Sequence, residues 1–209
     1  MTGYALVSGA KRLVEEPFIR HNIVLHIDDG WSEGTSVPID DDLDSNEQLN
    51  YYNTYFNTNR HYIFRYAIII KSVANADYAG LTFRTDAFVV ANDHIYGGAF
   101  IGPFIYNQAS VFMHELGHTL GLNADNLWKN DHVFGNIRPP IEPSEYPSCM
   151  RYGAIYGDPG YIDYSDMSGT IHIYNSQTAN WVDFNRNDWE NIDLYYFLIS
   201  LIFSEGSYL

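Results

Sequence analysis

The amino-acid sequence predicts an α+β domain in which helices pack against a β-sheet. Two nearly continuous apolar runs rich in β-branched residues, 63–70 and 86–91, predict strands covered on both faces. Apolar residues at helical spacing predict a helix over 108–120 and a second helix that begins near residue 187. A chain of 209 residues is long enough for one hydrophobic core, so we expect a single domain over 1–209.

The first third of the chain carries weaker patterns. Residues 1–20 give no clear assignment and could be an N-terminal extension. Residues 22–27 predict a strand, closed by a turn at Asp28-Asp29-Gly30. The acidic segment 40–44 is typical of a solvated loop, with a calcium loop as the alternative, and residues 50–57 could be a helix end or a loop.

Loop signals surround the central helix. Glycine and proline density over 97–103 predicts an edge strand or a loop close to an active cleft. Residues 123–148 are polar and rich in proline, which predicts a long loop with a functional role.

The C-terminal region predicts a capped helix. Asn187 and Glu190 have the spacing of a capping box, and the apolar stripe that follows predicts core packing by Trp189, Ile192, Tyr196, Ile199 and Phe203. Residues 183–188 resemble the first half of a calcium loop but lack its later glycine and glutamate, so we interpret them as a polar turn before the helix.

Composition excludes some partners. The net charge of −15 repels phosphate backbones and anionic membrane surfaces, so nucleic acid is not expected as a partner. The longest apolar run, residues 194–203, is too short to span a bilayer, and the N-terminus lacks a signal-peptide pattern. The lone cysteine, Cys149, excludes an intramolecular disulfide and is expected to be buried rather than nucleophilic.

The most specific pattern in the chain is His114-Glu115-Leu-Gly-His118 within the predicted helix. Residues four apart share one helix face, so both imidazoles can point at one metal ion, while Phe112, Leu116 and Leu120 would face the core. Neutral imidazole is a preferred zinc ligand, and the glutamate next to the first histidine is placed to take a proton from water. The pattern predicts one catalytic Zn²⁺ with Glu115 as general base.

This motif resembles that of the metzincin zinc peptidases, His-Glu-x-x-His-x-x-Gly-x-x-His/Asp followed by a methionine-containing turn. The chain matches the first eight positions, up to Gly121, and Ser148-Cys-Met150-Arg-Tyr152 is similar to the family's turn. The resemblance implies a zincin/metzincin-like fold: a twisted mixed sheet of about five strands, an active-site helix, the Met-turn and a C-terminal helix. It also implies that Met150 forms the floor beneath the metal and that Tyr152 stabilises the oxyanion or acts as a displaceable ligand.

The chain departs from the family at the third ligand. The family's position is Ala124, which cannot bind zinc, so Asp125 or Asp131 is expected to serve, with His132 behind them. A glutamate ligand from further along the chain is the other option, but the capping box explains Glu190 more simply.

The expected function is zinc-dependent hydrolysis of peptide bonds within a protein or peptide substrate. Two alternatives stay open: an impaired metzincin-like binding domain, which Ala124 favours, and a zinc hydrolase of non-peptide amides or esters. Calcium is possible without a supporting motif, and no feature indicates an oligomeric state. The resemblance also implies a secreted or extracytoplasmic protein.

Overall fold

A computed structural model describes residues 5–28, 42–56, 58–61, 63–74, 78–97, 103–122, 137–138, 146–150, 162–175 and 180–192. Over these residues the protein is a mixed α+β structure with a small mixed sheet and a few helices. The helices are α1 (Ser8–Arg20), α2 (Ser45–Tyr55), α3 (Asn92–Gly97), α4 (Phe104–Thr119) and α5 (Asp188–Asn191). The strands are β1 (Asp42–Leu43), β2 (Tyr66–Ile70), β3 (Ser72–Val73), β4 (Gly80–Arg84), β5 (Ala87–Ala91), β6 (Ile137–Arg138), β7 (Asp166–Asn175) and β8 (Asn180–Asn187).

The central sheet has the strand order β2-β5-β4. Strand β5 runs parallel to β2 and antiparallel to β4, so Val89 of β5 pairs with Ile68 on one side and Leu81 on the other. A five-stranded sheet is not present among the described residues: β1 pairs with β3, and β6-β7-β8 form a separate antiparallel sheet.

Both faces of the central sheet are covered, as the two apolar runs predicted. Phe88 and Val90 pack with helices α1 and α4 on one face, whereas Ile68 and Val89 belong to a second apolar cluster on the other face. Strand β5 is buried along its whole length. A strand with both faces buried needs apolar residues at successive positions, which explains why the sequence does not alternate there.

Helix α4 lies at the centre of the molecule. Twelve of its sixteen residues are buried, including the predicted core residues Phe112 and Leu116. The helix packs against α1, β4 and β5. Its predicted span of 108–120 is confirmed, with a start four residues earlier at Phe104.

The unassigned N-terminal residues contribute helix α1, which packs on α4 through Ala10, Val14 and Phe18. The buried side chain of Gln108 joins the two helices, because it accepts from the Val7 N–H at 2.9 Å. Residues 8–20 therefore belong to the core that supports α4.

Residues 22–27 do not form the predicted strand. Their side chains alternate between partly buried and exposed, and the inward ones, Ile23, Leu25 and Ile27, pack against the core. Within the part of the chain that the structure describes, this segment has no ladder partner. The alternation of apolar and polar residues that predicted a strand is therefore present. A strand also requires a second backbone to hydrogen-bond with, and the local sequence does not encode that partner.

The acidic segment 40–44 is not simply a solvated loop. Asp42 and Leu43 form β1, and Leu43 is buried. Asp44 caps helix α2, because its carboxylate accepts from the Asn46 and Glu47 N–H groups while the Glu47 side chain accepts from the Asp44 N–H. This Asp-x-x-Glu capping box gives Asp44 a local structural role, and residues 50–55 are the end of that helix.

The C-terminal region differs from its prediction in two ways. Residues 183–187 lie in β8, where Asp183 pairs with His172, so the predicted polar turn and the calcium-loop alternative are both wrong. Asn187 does cap a helix by accepting from the Glu190 N–H at 3.2 Å, but this helix ends within one turn because Ile192 has extended backbone. Trp189 and Ile192 pack against the core as predicted, whereas Tyr196, Ile199 and Phe203 lie outside the described residues.

The prediction for the glycine-rich approach to α4 falls mostly outside the described residues. Gly97 ends helix α3 and Pro103 immediately precedes α4, while residues 98–102 lie outside the described residues. In the described part of the chain, the sheet edge that faces α4 is β4.

None of the described helices is both long and apolar enough to cross a bilayer.

The sheet face opposite α4 carries an aromatic cluster around Tyr52. Its hydroxyl donates to Asp86 Oδ2 at 2.7 Å and lies 2.7 Å from His61 Nδ1. Burial, followed by the hydrogen bond to Asp86, raises the pKa of Tyr52 to about 12. Arg84 covers the ring, with its guanidinium carbon 4.6 Å from the ring centre.

Candidate metal site

The imidazoles of His114 and His118 converge on one face of α4. Their Nε2 atoms are 3.2 Å apart, and the two rings are nearly perpendicular at 88°. His114 is only 3% exposed, so its ring is held by protein on almost every side. The i, i+4 spacing has therefore produced the convergence that the sequence predicted.

Backbone carbonyls hold the other nitrogen of each ring. His114 Nδ1 lies 2.9 Å from the Cys149 carbonyl oxygen, and His118 Nδ1 lies 2.8 Å from the Leu122 carbonyl oxygen. A carbonyl oxygen only accepts, so each Nδ1 carries the proton and each Nε2 carries a lone pair. Ligating histidines are oriented by this kind of hydrogen bond, because it fixes both the tautomer and the plane of the ring.

The separation of the two Nε2 atoms fits zinc. If both nitrogens lay about 2.0–2.1 Å from one Zn²⁺, a separation of 3.2 Å would set the angle between them at about 100–106°, close to tetrahedral. This separation is also that of an N–H···N hydrogen bond, so either a shared proton or a shared metal ion would hold the two Nε2 atoms at this distance. The pair therefore has the chemistry and spacing of two corners of a zinc site.

The residues that the sequence offers for a third ligand lie outside the described part of the chain. Asp125, Asp131 and His132, which the sequence offers as third ligands, are not among the described residues, and neither are Ala124 and Tyr152. Among the residues that are described, no group of three or more His, Cys, Asp or Glu side chains is arranged to hold a metal.

Gly121 returns the chain towards His118. It has a φ of 92°, in the left-handed region that glycine adopts without strain, and it directly follows the C-cap of α4. The reversal allows the Leu122 N–H to bond the Gly117 carbonyl at 3.0 Å, and it brings the Leu122 carbonyl to His118 Nδ1. The glycine of the sequence motif is therefore explained by the left-handed turn that follows the helix.

Glu115 projects from α4 towards strand β4. The residue is 6% exposed, and its Oε2 lies 2.8 Å from the Thr82 hydroxyl oxygen. Gly80 of the same strand faces the side chain so closely that a Cβ there would lie 2.7 Å from Glu115 Cγ and from Oε1. The carboxylate is therefore confined between the histidine helix and the edge of the sheet.

Met150 packs directly beneath the helix turn that carries the histidines. It is buried, and its sulfur occupies the space that a side chain at Gly117 would need. Tyr164 closes the same space, and its hydroxyl donates to the Met113 carbonyl at 2.7 Å. The packing role expected of Met150 matches this position below residues 114–118.

The turn that carries Met150 is anchored by Asp188, which the sequence placed in a polar turn. Asp188 is 0% exposed, and its carboxylate accepts from the Tyr146 hydroxyl at 2.7 Å, from the Ser148 hydroxyl, and from the Ser165 N–H at 3.0 Å. The Ser148 Oγ accepts from the Met150 N–H at 3.0 Å, which continues the network into the turn.

This network reaches the first histidine. Cys149 lies between Ser148 and Met150, its N–H donates to the Asp163 carbonyl at 2.7 Å, and its own carbonyl accepts from His114. Asp188 was missed because the polar residues before it are typical of a solvated turn. The available signal was its place directly before Trp189 at a helix start.

Cys149 has no nucleophilic character. Its thiol is fully buried, and this burial, with the charges of Asp188 and Asp163, raises the pKa of the thiol well above its usual value. The thiol therefore stays protonated and packs in the core, in agreement with the sequence interpretation.

Glu190 is exposed, and its N–H donates to Asn187 Oδ1, as expected of a structural residue in a helix cap.

Comparisons with known protein families, with curated proteins and with solved structures return no match to this chain.

Proposed function

We propose that this protein is a zinc-dependent endopeptidase with a metzincin-like fold. The observation that carries the proposal is the pair of Nε2 atoms 3.2 Å apart, each ring fixed by a carbonyl at Nδ1, beside a buried glutamate. The antiparallel edge strand before α4 and the buried methionine beneath it give the proposal further support.

Each residue has a distinct role in this proposal. His114 and His118 would hold the Zn²⁺, with Asp125 or Asp131 as third ligand and His132 as the less favoured choice. When bound, the ion supplies a Lewis acid that polarises the substrate carbonyl and makes a nearby water more acidic. Glu115 takes a proton from the attacking water and passes it to the leaving amine as the C–N bond breaks. Tyr152 would stabilise the negative charge on the carbonyl oxygen.

Strand β4 is the best place for an extended substrate. It is an edge strand in the described part of the chain, and its Gly80 and Thr82 lie against Glu115. Main-chain pairing along such an edge presents a scissile bond with little demand on sequence, as an endopeptidase requires. The glycine-rich segment 97–103, which the sequence placed close to an active cleft, lies largely outside the described residues.

Metal analysis combined with cleavage of casein and a peptide library tests the proposal. We expect one zinc per chain, cleavage that stops with a chelator and returns with zinc, and a loss of about 10²–10⁴-fold in kcat for Glu115→Ala with zinc retained. The matched control is Glu190→Ala, which alters an exposed glutamate and should change neither zinc content nor rate. Protein that stays metal-free in excess zinc would contradict the proposal.

The second candidate is a metzincin-like domain that binds polypeptides without cleaving them. The alanine at the family's third-ligand position favours it. Stoichiometric zinc without chelator-sensitive cleavage of any polypeptide would support this candidate. Cleavage restricted to small amides or esters would instead indicate a non-peptide hydrolase.

Secretion is part of the proposal only through the resemblance to metzincins.

A further inference from the structure

We propose that Thr82 of strand β4 is a positioning residue for Glu115, and that its hydroxyl sets the orientation of the carboxylate. The inference rests on the proposed function, because it concerns the glutamate that would serve as general base. It adds to that function a residue that no motif in the sequence indicates.

The Thr82 hydroxyl contacts Glu115 at two points. Its oxygen lies 2.8 Å from Glu115 Oε2 and 2.9 Å from the Glu115 carbonyl oxygen. Both partners only accept when the carboxylate is ionised, so the single hydroxyl proton is shared between them. One side chain therefore ties the carboxylate of Glu115 to its own backbone, which leaves the flexible side chain little rotational freedom.

Gly80 restricts the same carboxylate at its other oxygen, Oε1. Residues two apart on a strand share a face, so Gly80 and Thr82 both face α4 while Leu81 packs on the opposite side. A Cβ at Gly80 would lie 2.7 Å from Oε1, so the strand backbone is already in contact with that side of the carboxylate. Strand β4 thus confines both oxygens, through a hydroxyl at Oε2 and bare backbone at Oε1.

The pairing of β4 changes at Thr82. Thr82 pairs with Phe88, but the next pair is Arg84 with Ala87, so the register shifts between Thr82 and Arg84. An irregularity of this kind bends a strand and redirects the side chains beside it. The register shift lies directly after Thr82, the residue whose hydroxyl contacts Glu115.

Orientation matters because proton transfer depends on geometry. A free glutamate side chain samples several rotamers, and misplacement of a reacting group by about 1 Å can lower a rate about 10²-fold. Holding Oε2 on Thr82 and Oε1 against Gly80 keeps the carboxylate in one position beside the strand. A hydroxyl that only stabilised the fold would have no such selective effect on kcat.

Thr82→Val and Thr82→Ser separate orientation from packing. Valine keeps the shape and removes the hydroxyl, so we expect kcat to fall about 10- to 100-fold with KM and zinc content unchanged. Serine keeps the hydroxyl and should restore most of the rate. Thr170→Val, at an exposed position in β7, is the matched control and should leave both parameters unchanged. Thr82→Ala takes the place of the valine variant if that variant does not fold.

A double-mutant cycle on the metal-free protein gives a readout that does not depend on activity. We expect Thr82→Val and Glu115→Ala to be non-additive in urea unfolding by about tenfold in the equilibrium constant, as for a hydrogen bond to a charged group. Additive effects, or a valine variant with unchanged kcat, would overturn the inference. If the wild-type protein hydrolyses nothing, the proposed function has failed, and the cycle alone decides whether Thr82 orients Glu115.

Discussion

Replacing Asp188 should disrupt both the fold and the histidine pair. The residue is fully buried, and its carboxylate accepts from three donors: the hydroxyls of Tyr146 and Ser148 and the N–H of Ser165. Asp188→Ala would remove the acceptor that these three groups share. Each buried unsatisfied donor costs about 1–3 kcal/mol, so we expect a loss of about 3–6 kcal/mol in the free energy of unfolding, allowing for partial relaxation.

The effect should extend to the proposed binding of zinc by His114 and His118. Ser148 bonds the Met150 N–H, and the adjacent Cys149 carbonyl orients His114, so a loosened turn frees the imidazole. Loss of such supporting contacts typically lowers metal affinity about 10- to 100-fold. Asp188→Asn keeps the size and one acceptor oxygen, so it should fall between Asp188→Ala and wild type in both measurements.

Urea unfolding of the metal-free protein gives the first quantity, and competition with a chromophoric chelator gives the zinc dissociation constant. Asp166→Asn is the matched control, because Asp166 is an exposed aspartate at the start of β7. It should change stability by less than about 0.5 kcal/mol. If Asp188→Asn also stayed within that margin, or if zinc affinity did not fall, the proposed link between Asp188 and His114 would be refuted.

Two further predictions concern packing and pH. Gly117→Ala should destabilise the protein by about 1–3 kcal/mol, because the new methyl group would collide with the buried sulfur of Met150 and outweigh the higher helix propensity of alanine. Gly9→Ala in α1 is the control, because its methyl would meet the exposed side chain of Ile105 at 3.1 Å, a milder overlap than the one at Met150. Thermal unfolding of both variants decides whether a tight contact at Met150 exists. The pKa of Tyr52 is raised to about 12, so its hydroxyl ionises more readily in the unfolded chain than in the fold. The fold keeps its full stability below about pH 10 and loses about 2–3 kcal/mol as pH rises towards 12. Tyr52→Phe should therefore reduce the loss of stability over this range, and an unchanged alkaline unfolding profile would contradict the buried hydrogen bond to Asp86.

The elements that the sequence predicted well are those with a local cause. His114 and His118 lie four residues apart in one helix, so their shared face follows from helix geometry alone. The runs over 66–70 and 87–91 are apolar at successive positions, and only burial of both faces makes such a run favourable. The capping box between Asp44 and Glu47 is equally local but was not predicted, because residues 40–44 were interpreted as a solvated loop.

The elements that sequence reasoning missed depend on distant partners. Residues 22–27 have the alternation of a strand without a described ladder partner, and residues 183–187 are polar yet pair with β7. Local composition cannot say which backbone lies beside a segment, so neither outcome could be derived from these residues alone.

The sequence by itself determined the chemistry of this protein: two imidazoles and a carboxylate on adjacent turns of one helix, and a methionine in a later turn. The tertiary structure decided how most of these groups are held, with the Cys149 carbonyl on His114, Thr82 on Glu115 and Asp188 behind Met150. The division has a physical reason. Helical spacing is set within about four residues, whereas these supporting contacts form only when segments far apart in sequence, such as β4 and α4, pack together.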